Sequence, residues 1–186
     1  MSIHVLGIVG SLRAGSLNRV LLRAAVELAP ESMEIHPYAG LGDLPLFNQD
    51  VEAPGDPDPV RAFKAAIQEA DALLIATPEY NYGPPGVLKN AIDWASRPPG
   101  KCVLNRKPAA IMGGSMGTGG TVRAQLGLRQ TFVATETYVL IRPEVLVSRL
   151  HEKVDSDGRL ADEPTRKQLR KLLEARVEWV GRVGDR

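Results

Sequence analysis

The chain has 186 residues, of which 23 are basic and 22 acidic, and 44% of the sequence is hydrophobic. This length and apolar content suit a single domain over residues 1–186 that buries roughly 70% of its unfolded surface. A formal net charge of +1 gives no field that would attract nucleic acid or an anionic membrane, and no apolar run could cross a bilayer. The composition therefore predicts a soluble protein that binds neither nucleic acid nor membrane.

The cysteine and histidine residues bear on disulfides, cellular location and metal binding. Cys102 is the single cysteine, which excludes an internal disulfide, and the first strand begins without a basic and apolar leader. Both features predict a cytoplasmic protein. His4 and His36 fall in predicted strands and are interpreted as structural, and the histidines show no ligand spacing, so no metal site is predicted.

Strand and helix patterns alternate along the chain, as is typical of an α/β fold. The predicted strands cover residues 3–9, 33–38, 72–77, 107–112 and 137–147. Predicted helices cover 17–28, 60–70, 87–95 and about 121–132, and a last helix begins at Asp162 and buries Leu169, Leu172, Leu173, Val177 and Val180. A surface connection is predicted over 40–59 and a polar excursion over 148–161.

The first candidate site is the loop from Gly10 to Asn18, between the first strand and the first helix. It places Ser11, Arg13 and Ser16 close to a helix N-terminus, whose unpaired N–H groups and positive dipole end attract an anion. The loop therefore suits a phosphate. The alternative is that Ser16 and Asn18 are only helix caps. Neither a nucleotide-triphosphate loop nor a dinucleotide fingerprint is present.

Two further loops follow the third and fourth strands. The first, residues 77–86, combines tyrosines, an asparagine and paired prolines, and would border a flat conjugated ligand unless its tyrosines are only surface turn residues. The second, residues 113–120, holds five glycines that let backbone N–H groups approach a ligand. With the strand order 2-1-3-4-5, all three loops meet where the winding of the sheet reverses, which is the usual ligand site of such sheets.

The motifs of these loops closely resemble the NADPH-dependent FMN reductase family, which includes quinone, chromate and azo-dye reductases. The resemblance covers about the first 145 residues and rests on Gly10-Ser11-Leu12-Arg13-x-x-Ser16-x-Asn18, Pro78-Glu79-Tyr80-Asn81 with Pro85-Gly86-x-Leu88-Lys89-Asn90-Ala91-Ile92-Asp93-Trp94, and Gly113-Gly114-Ser115-x-Gly117-x-x-Gly120. It implies a flavodoxin-like, doubly wound five-stranded parallel sheet with helices on both faces.

The resemblance also implies the cofactor and the residues that would hold it. Bound FMN is expected, with NADPH or NADH as hydride donor. The phosphate would bind to the first loop, the isoalloxazine would lie along residues 78–82, and the N–H groups of the 113–117 stretch would meet its other edge. The predicted cofactor-binding residues are Ser11, Arg13, Ser16, Leu17, Asn18, Pro78, Glu79, Tyr80, Asn81, Tyr82, Ser115, Met116 and Gly117.

The activity implied by this resemblance is a ping-pong oxidoreductase cycle. Hydride would pass from NAD(P)H to FMN, and electrons would then pass to a quinone, azo compound, chromate or flavin acceptor. The protein would supply position and electrostatics, and no catalytic acid or base is predicted. The family also builds dimers or tetramers, and Trp94 with the turn 97–100 is predicted to be available to a neighbouring subunit.

Two other classes of function compete with this prediction. Gly113-x-Ser115-x-Gly117 matches the nucleophile elbow of a serine hydrolase, with Glu136, Glu144 and His151 following in the required order. His151, however, lies among charged residues, which favours a solvated surface position. A flavodoxin-like electron carrier is the other alternative, although such carriers tend to be strongly acidic and this chain is not.

Overall fold

The computed structural model describes residues 2–184 and has an alternating α/β architecture. Its strands are β1 (Ile3–Val9), β2 (Met33–Pro37), β3 (Ala72–Ala76), β4 (Pro108–Gly114), β5 (Tyr138–Val139) and β6 (Val145–Val147). Its helices are α1 (Leu17–Glu27), α2 (Gln49–Glu52), α3 (Asp58–Glu69), α4 (Gly86–Ala95), α5 (Val122–Ala134) and α6 (Glu163–Gly184). The predicted succession of strands and helices is therefore confirmed, with the boundary differences given below.

The sheet is parallel and runs in the order β2-β1-β3-β4-β5, which confirms the predicted order. Apolar residues cover both faces of its central strands. One core packs α1 and α6 against the sheet, and the other packs α3, α4 and α5 against the opposite face. Helices on both faces follow from the right-handed crossovers that parallel strands require.

The predicted fifth strand, residues 137–147, is wrong as a single element. It forms two short strands on the same neighbour, because β5 pairs with the start of β4 and β6 pairs with its end. Between them Ile141 is exposed, and Pro143 has no N–H to give to a ladder. The fourth strand also runs two residues further than predicted, so that Gly113 and Gly114 belong to β4.

The segment between β2 and α3 is less of a free surface loop than its composition predicts. It contains a 3₁₀ turn at Gly40–Asp43 and the short helix α2. The Pro45 carbonyl accepts hydrogen bonds from Asn90 Nδ2 at 2.9 Å and from Trp94 Nε1 at 2.8 Å. The segment therefore fastens to the outer side of α4.

This packing overturns the prediction that Trp94 is available to a neighbouring subunit. The Trp94 side chain is 0% exposed, and its ring meets Phe47 edge to face at a centroid distance of 5.0 Å. Arg97, in the turn that follows, pairs with Glu52 at 2.9 Å. The apolar stripe of α4 was read correctly, but the tryptophan belongs to the protein's own core.

Helix α6 holds one large exception to the predicted core pattern. Leu169, Leu172 and Leu173 are buried as predicted, whereas Val177 and Val180 are only half-buried. The fully buried position in that part of the helix is Arg176, which is 0% exposed. Within residues 2–184, no helix is both long and apolar enough to span a bilayer.

Candidate functional site

The three loops singled out in the sequence start at one level of the sheet. In the β1–β3 register Val9 pairs with Ala76, and in the β3–β4 register Ala76 pairs with Met112. The loops that begin after these strands therefore emerge side by side. Their residues line a cleft of about 220 Å³, which lies where β1 and β3 meet and the winding of the sheet reverses.

The first loop presents hydroxyl groups and an arginine at the start of α1. Ser11 and Ser16 are buried, and Ser16 is the N-cap residue of α1, yet its side chain makes no capping hydrogen bond. The guanidinium of Arg13 folds back and donates to the Gly15 carbonyl at 2.7 Å. At the start of α1 the Arg19 N–H already donates to the Ser16 carbonyl at 3.0 Å, and the N–H groups of Leu17 and Asn18 remain as donors for an anion. This donor set suits an anion.

Asn18 has a different role from its neighbours in this loop. Its Nδ2 donates to the Gly114 carbonyl at 2.9 Å, and its Oδ1 accepts from the Gly114 N–H at 3.0 Å. These buried bonds join the first loop to the end of β4 across 96 positions of sequence. Asn18 therefore fixes the spacing of two walls of the cleft, and one N–H of its amide remains for a ligand.

The second loop divides into a part that faces the cleft and a part that does not. Pro78, Glu79 and Tyr80 line the cleft. Asn81 and Tyr82 form the tip of a two-residue hairpin with φ angles of 50° and 65°, closed by paired hydrogen bonds of 3.0 Å between Tyr80 and Gly83. These two residues do not line the cleft, and with Glu79 they line a separate surface cavity.

Glu79 is engaged by the protein itself. Its carboxylate accepts from the backbone N–H groups of Arg123 at 2.9 Å and Ala124 at 3.1 Å, and so it caps the N-terminus of α5. Thr121, the N-cap residue, makes no capping bond with its side chain, and its hydroxyl instead accepts from Gln125 Nε2 at 3.1 Å. The Arg123 guanidinium lies 4.1 Å from the centroid of the Tyr82 ring. The second loop is thereby held to α5, which stabilises its position beside the cleft.

In the third loop, the protein itself uses several of the N–H groups that are predicted to meet the edge of the flavin. The Ser115 N–H donates to the Val147 carbonyl at 3.0 Å, and that of Gly114 is taken by Asn18. Gly113 is packed too tightly for any ligand, because a Cβ there would lie 2.2 Å from Thr121 Oγ1 and 2.3 Å from the Thr77 carbonyl oxygen. Of the predicted donors in residues 113–117, this leaves the N–H groups of Met116 and Gly117.

The structure brings together most of the predicted cofactor residues. The cleft is lined by Ser11, Arg13, Ser16, Leu17, Asn18, Pro78, Glu79, Tyr80, Ser115 and Met116, with Gly114 in addition. Asn81, Tyr82 and Gly117 do not line it. Gly114 was absent from the predicted residues although its loop was identified, because its place at the cleft depends on its bonds with Asn18, which no local pattern indicates.

The hydrolase alternative finds no support in the geometry around Ser115. Its hydroxyl donates to the Gly117 carbonyl at 3.4 Å, whereas His151 Nε2 lies 3.7 Å from Glu152. In the part of the chain that the structure describes, no hydrogen bond joins Ser115 to His151. Ser115 also lacks the positive φ of a strained elbow, and α5 starts only at Val122.

Displaced pKa values fall outside the cleft. Burial is the main cause at two such residues: it raises the pKa of Tyr38, with the Asp43 charge adding to it, and it lowers the pKa of Lys107. The absence of a catalytic acid or base stays a prediction.

A doubly wound parallel sheet with an anion-type loop after β1 and a cleft at the β1/β3 switch point defines a flavodoxin-like protein of the nucleotide-binding kind.

Comparison with known proteins gives the particular family. Residues 3–152 match the model of the NADPH-dependent FMN reductase family. An NAD(P)H-dependent FMN reductase of Pseudomonas aeruginosa is 50% identical over 97% of each chain. An NAD(P)H:quinone oxidoreductase of Solanum tuberosum is 46% identical over 92% of this chain and 89% of its own.

A solved structure agrees with this assignment. The flavoenzyme NAD(P)H:(acceptor) oxidoreductase from Paracoccus denitrificans superposes with a TM-score of 0.89 at 39% identity, over 97% of this chain and 98% of its own. The chain belongs to the NADPH-dependent FMN reductase family. It is therefore an oxidoreductase that uses FMN, with a nicotinamide nucleotide as electron donor.

Proposed function

We propose that the cleft holds FMN with its phosphate in the first loop. The observation that carries this proposal is the pair of buried hydroxyls at Ser11 and Ser16 beside Arg13, at the N-terminus of α1. Ser16 makes no capping bond, so its hydroxyl is available to a phosphate oxygen. Arg13 would exchange its contact with the Gly15 carbonyl for a stronger, charge-assisted one.

The remaining walls fit a flat conjugated ring. Leu17, Pro78 and Met116 give apolar contact, and Tyr80 borders the open side. Tyr80 is 53% exposed and Met116 is 62% exposed. A cavity of about 220 Å³ is smaller than most small-molecule pockets, which span roughly 300–1,000 Å³. The ring would therefore reach the surface, where a second substrate can approach it.

The chemistry follows from this partial exposure. FMN supplies hydride acceptance from NAD(P)H and onward electron transfer. The chain's own residues orient the cofactor and stabilise negative charge on it: the N–H groups of Met116 and Gly117 are the donors left for this task at one edge. Since both substrates would share one open face, we propose a ping-pong cycle with quinones, and with azo compounds, chromate or free flavin as further acceptors.

A spectrum followed by steady-state kinetics tests the proposed function. The purified protein with FMN should show the absorption bands of bound oxidised flavin, and it should oxidise NADPH at a rate that depends on added quinone. Double-reciprocal plots at several quinone concentrations should be parallel. Negligible turnover without a separate reductase would favour an electron carrier, and a colourless protein that cleaves an activated ester would favour the hydrolase.

We also propose that residues 1–186 act as one FMN-binding domain and that the protein is a homodimer or homotetramer. Apolar residues that could bury area between subunits include Leu126 and Val133 on α5 and Ile141 after β5, all well exposed. Light scattering at micromolar concentration with FMN present checks the assembly.

A cytoplasmic location is proposed because the single Cys102 is a free thiol, as suits a reducing compartment.

A further inference from the structure

The amino end of the sheet holds a cluster of side chains that the flavin chemistry does not use. In the register of β1 with β2, His4 lies opposite Glu34 and Leu6 lies opposite His36. Successive side chains alternate between the faces of a strand, so His4, Glu34 and His36 share one face. Their ligating atoms all lie within 4.8 Å of one another.

The distances within the cluster suit a bound ion. Oε2 of Glu34 lies 3.9 Å from His4 Nδ1 and 3.6 Å from His36 Nε2. The two imidazoles are stacked, with centroids 6.0 Å apart and planes inclined by 17°. A tetrahedral ion about 2.1 Å from each ligand sets neighbouring ligand atoms about 3.4 Å apart. Small rotations of these exposed side chains would reach that spacing.

The surroundings favour positive charge. His4 and His36 line a cavity of about 250 Å³ together with Ala66, Glu69 and Ala70 at the end of α3. The carbonyl groups of a helix C-terminus carry partial negative charge, and Glu69 adds a carboxylate. Asp71 accepts the His4 backbone N–H at 2.8 Å, which fixes the strand at the ligand position. The Lys107 ammonium donates to the carbonyls of Gln68 at 3.4 Å and Ala70 at 2.6 Å, so the negative charge left for an ion is that of Glu69.

The donor set selects the class of metal. Two imidazole nitrogens and one carboxylate oxygen suit late first-row divalent ions, whereas calcium and magnesium prefer oxygen ligands alone. We propose that His4, Glu34 and His36 bind such an ion, with zinc as the representative, and that the ion fastens the edge strand β2 to β1. Positions left open by the three ligands would be filled by water.

The proposed site is independent of the cofactor. His4 lies near the start of β1 and Gly10 directly follows its end, so the two are roughly 20 Å apart at about 3.3 Å per residue. An ion here would therefore act on the stability of the sheet edge, because binding to the folded state alone stabilises that state. It should leave the rate of NADPH oxidation unchanged.

Calorimetric titration of the metal-free, FMN-loaded protein with zinc chloride tests the proposal. We expect one site of micromolar affinity or tighter. His4→Ala and His36→Ala each remove a ligand, so each should weaken zinc binding by more than about tenfold, which is the smaller cost of losing a residue that only hydrogen-bonds to a ligand. Glu34→Gln should also weaken zinc binding, although it keeps the shape of the side chain. His151→Ala is the matched control, since it removes the remaining histidine of the sequence and should bind zinc as the wild type does.

Proton NMR gives a second readout that a folding defect would not imitate. With three histidines in the chain, substoichiometric copper(II) should broaden the imidazole signals of His4 and His36 and spare His151. Zinc should also raise the melting temperature of the wild type but not that of the His4→Ala/His36→Ala double variant. The proposal would be overturned by no zinc binding, by wild-type affinity in the His4→Ala or His36→Ala variant, or by equal broadening of all histidines.

Discussion

The two ends of the sheet differ in how their polar residues come together. At the carboxyl ends, Ser11, Arg13 and Ser16 come from one short loop and meet Pro78, Tyr80 and Ser115 from two others. At the amino end, His4 meets Glu34 and His36 only through the register of β1 and β2. The first arrangement leaves contiguous motifs in the sequence, whereas the second leaves isolated residues about 30 positions apart.

The difference also extends to stability. At the carboxyl end, polar groups are paired with each other, as in the bonds of Asn18 with Gly114 and of Glu79 with α5. Towards the amino end, Arg176 lies one turn before Trp179, whose Nε1 donates to the Tyr138 carbonyl at 2.9 Å. The Arg176 guanidinium is buried without a hydrogen-bond partner among residues 2–184. Substitutions at Arg176 should therefore act on folding alone, whereas substitutions at the carboxyl end can also affect cofactor binding.

The largest effect is expected at the end of β4. In Gly113→Ala the new methyl group would overlap Thr121 Oγ1 and the Thr77 carbonyl, and overpacking against backbone should lower the free energy of unfolding by about 3 kcal/mol or more. Chemical denaturation measures it. Gly86→Ala is the control, because a Cβ there meets nothing within 4 Å. Equal stability of the two variants would contradict the tight packing of the cleft floor.

At the amino end, Arg176→Met should raise the free energy of unfolding by about 1–4 kcal/mol, since a buried charge without a partner is costly. Burial lowers the pKa of Arg176 to about 9, well below its value in the unfolded chain. Between these values the unfolded state binds more protons, so the Arg176 contribution becomes less unfavourable as pH rises. The gain from Arg176→Met should therefore shrink from pH 7 to pH 10.

Arg182→Met provides the comparison for that experiment. Arg182 is exposed and pairs with Glu178 at 3.3 Å, so its removal should change stability by less than about 0.5 kcal/mol. FMN affinity should be unchanged in both variants. A loss of stability in Arg176→Met would show that the guanidinium is stabilising where it lies.

In contrast to Arg176→Met, Arg13→Ala should weaken cofactor binding and change the free energy of unfolding little. A charge-assisted contact to phosphate contributes about 1.5–3 kcal/mol, so FMN binding should weaken about tenfold to a hundredfold. Fluorescence titration measures the affinity, and riboflavin, which lacks the phosphate, should bind both proteins alike. Equal losses for the two ligands would mean that Arg13 does not hold the phosphate.

The smallest effect is expected for Ser115→Ala. The backbone N–H of Ser115 already donates to Val147 and is kept in the variant, so only one hydroxyl contact of about 0.5–1.5 kcal/mol is lost. The variant should stay yellow and keep most of its NADPH-quinone turnover. An activity loss of several orders of magnitude would instead indicate a nucleophile.

Particular residues show how far the sequence alone could lead. The run from Ile3 to Val9 and the loop after it predicted β1, the start of α1 and five residues of the cleft. Trp94 lies on α4 as predicted, yet its prediction as an interface residue was wrong, because a segment 49 positions earlier covers it. Glu79 was predicted beside the ring, and the structure adds a cap on α5 that no local pattern indicates.

What the sequence determined by itself was the order of elements, the three loops and the family, because each depends on residues that are neighbours in the chain. Periodicity of apolar residues and the chemistry of a helix start are local properties. The tertiary structure decided the pairing of Asn18 with Gly114, the burial of Arg176, the split of the last strand and the meeting of His4 with Glu34 and His36. These depend on strand register and helix packing, which bring together residues that the chain keeps far apart.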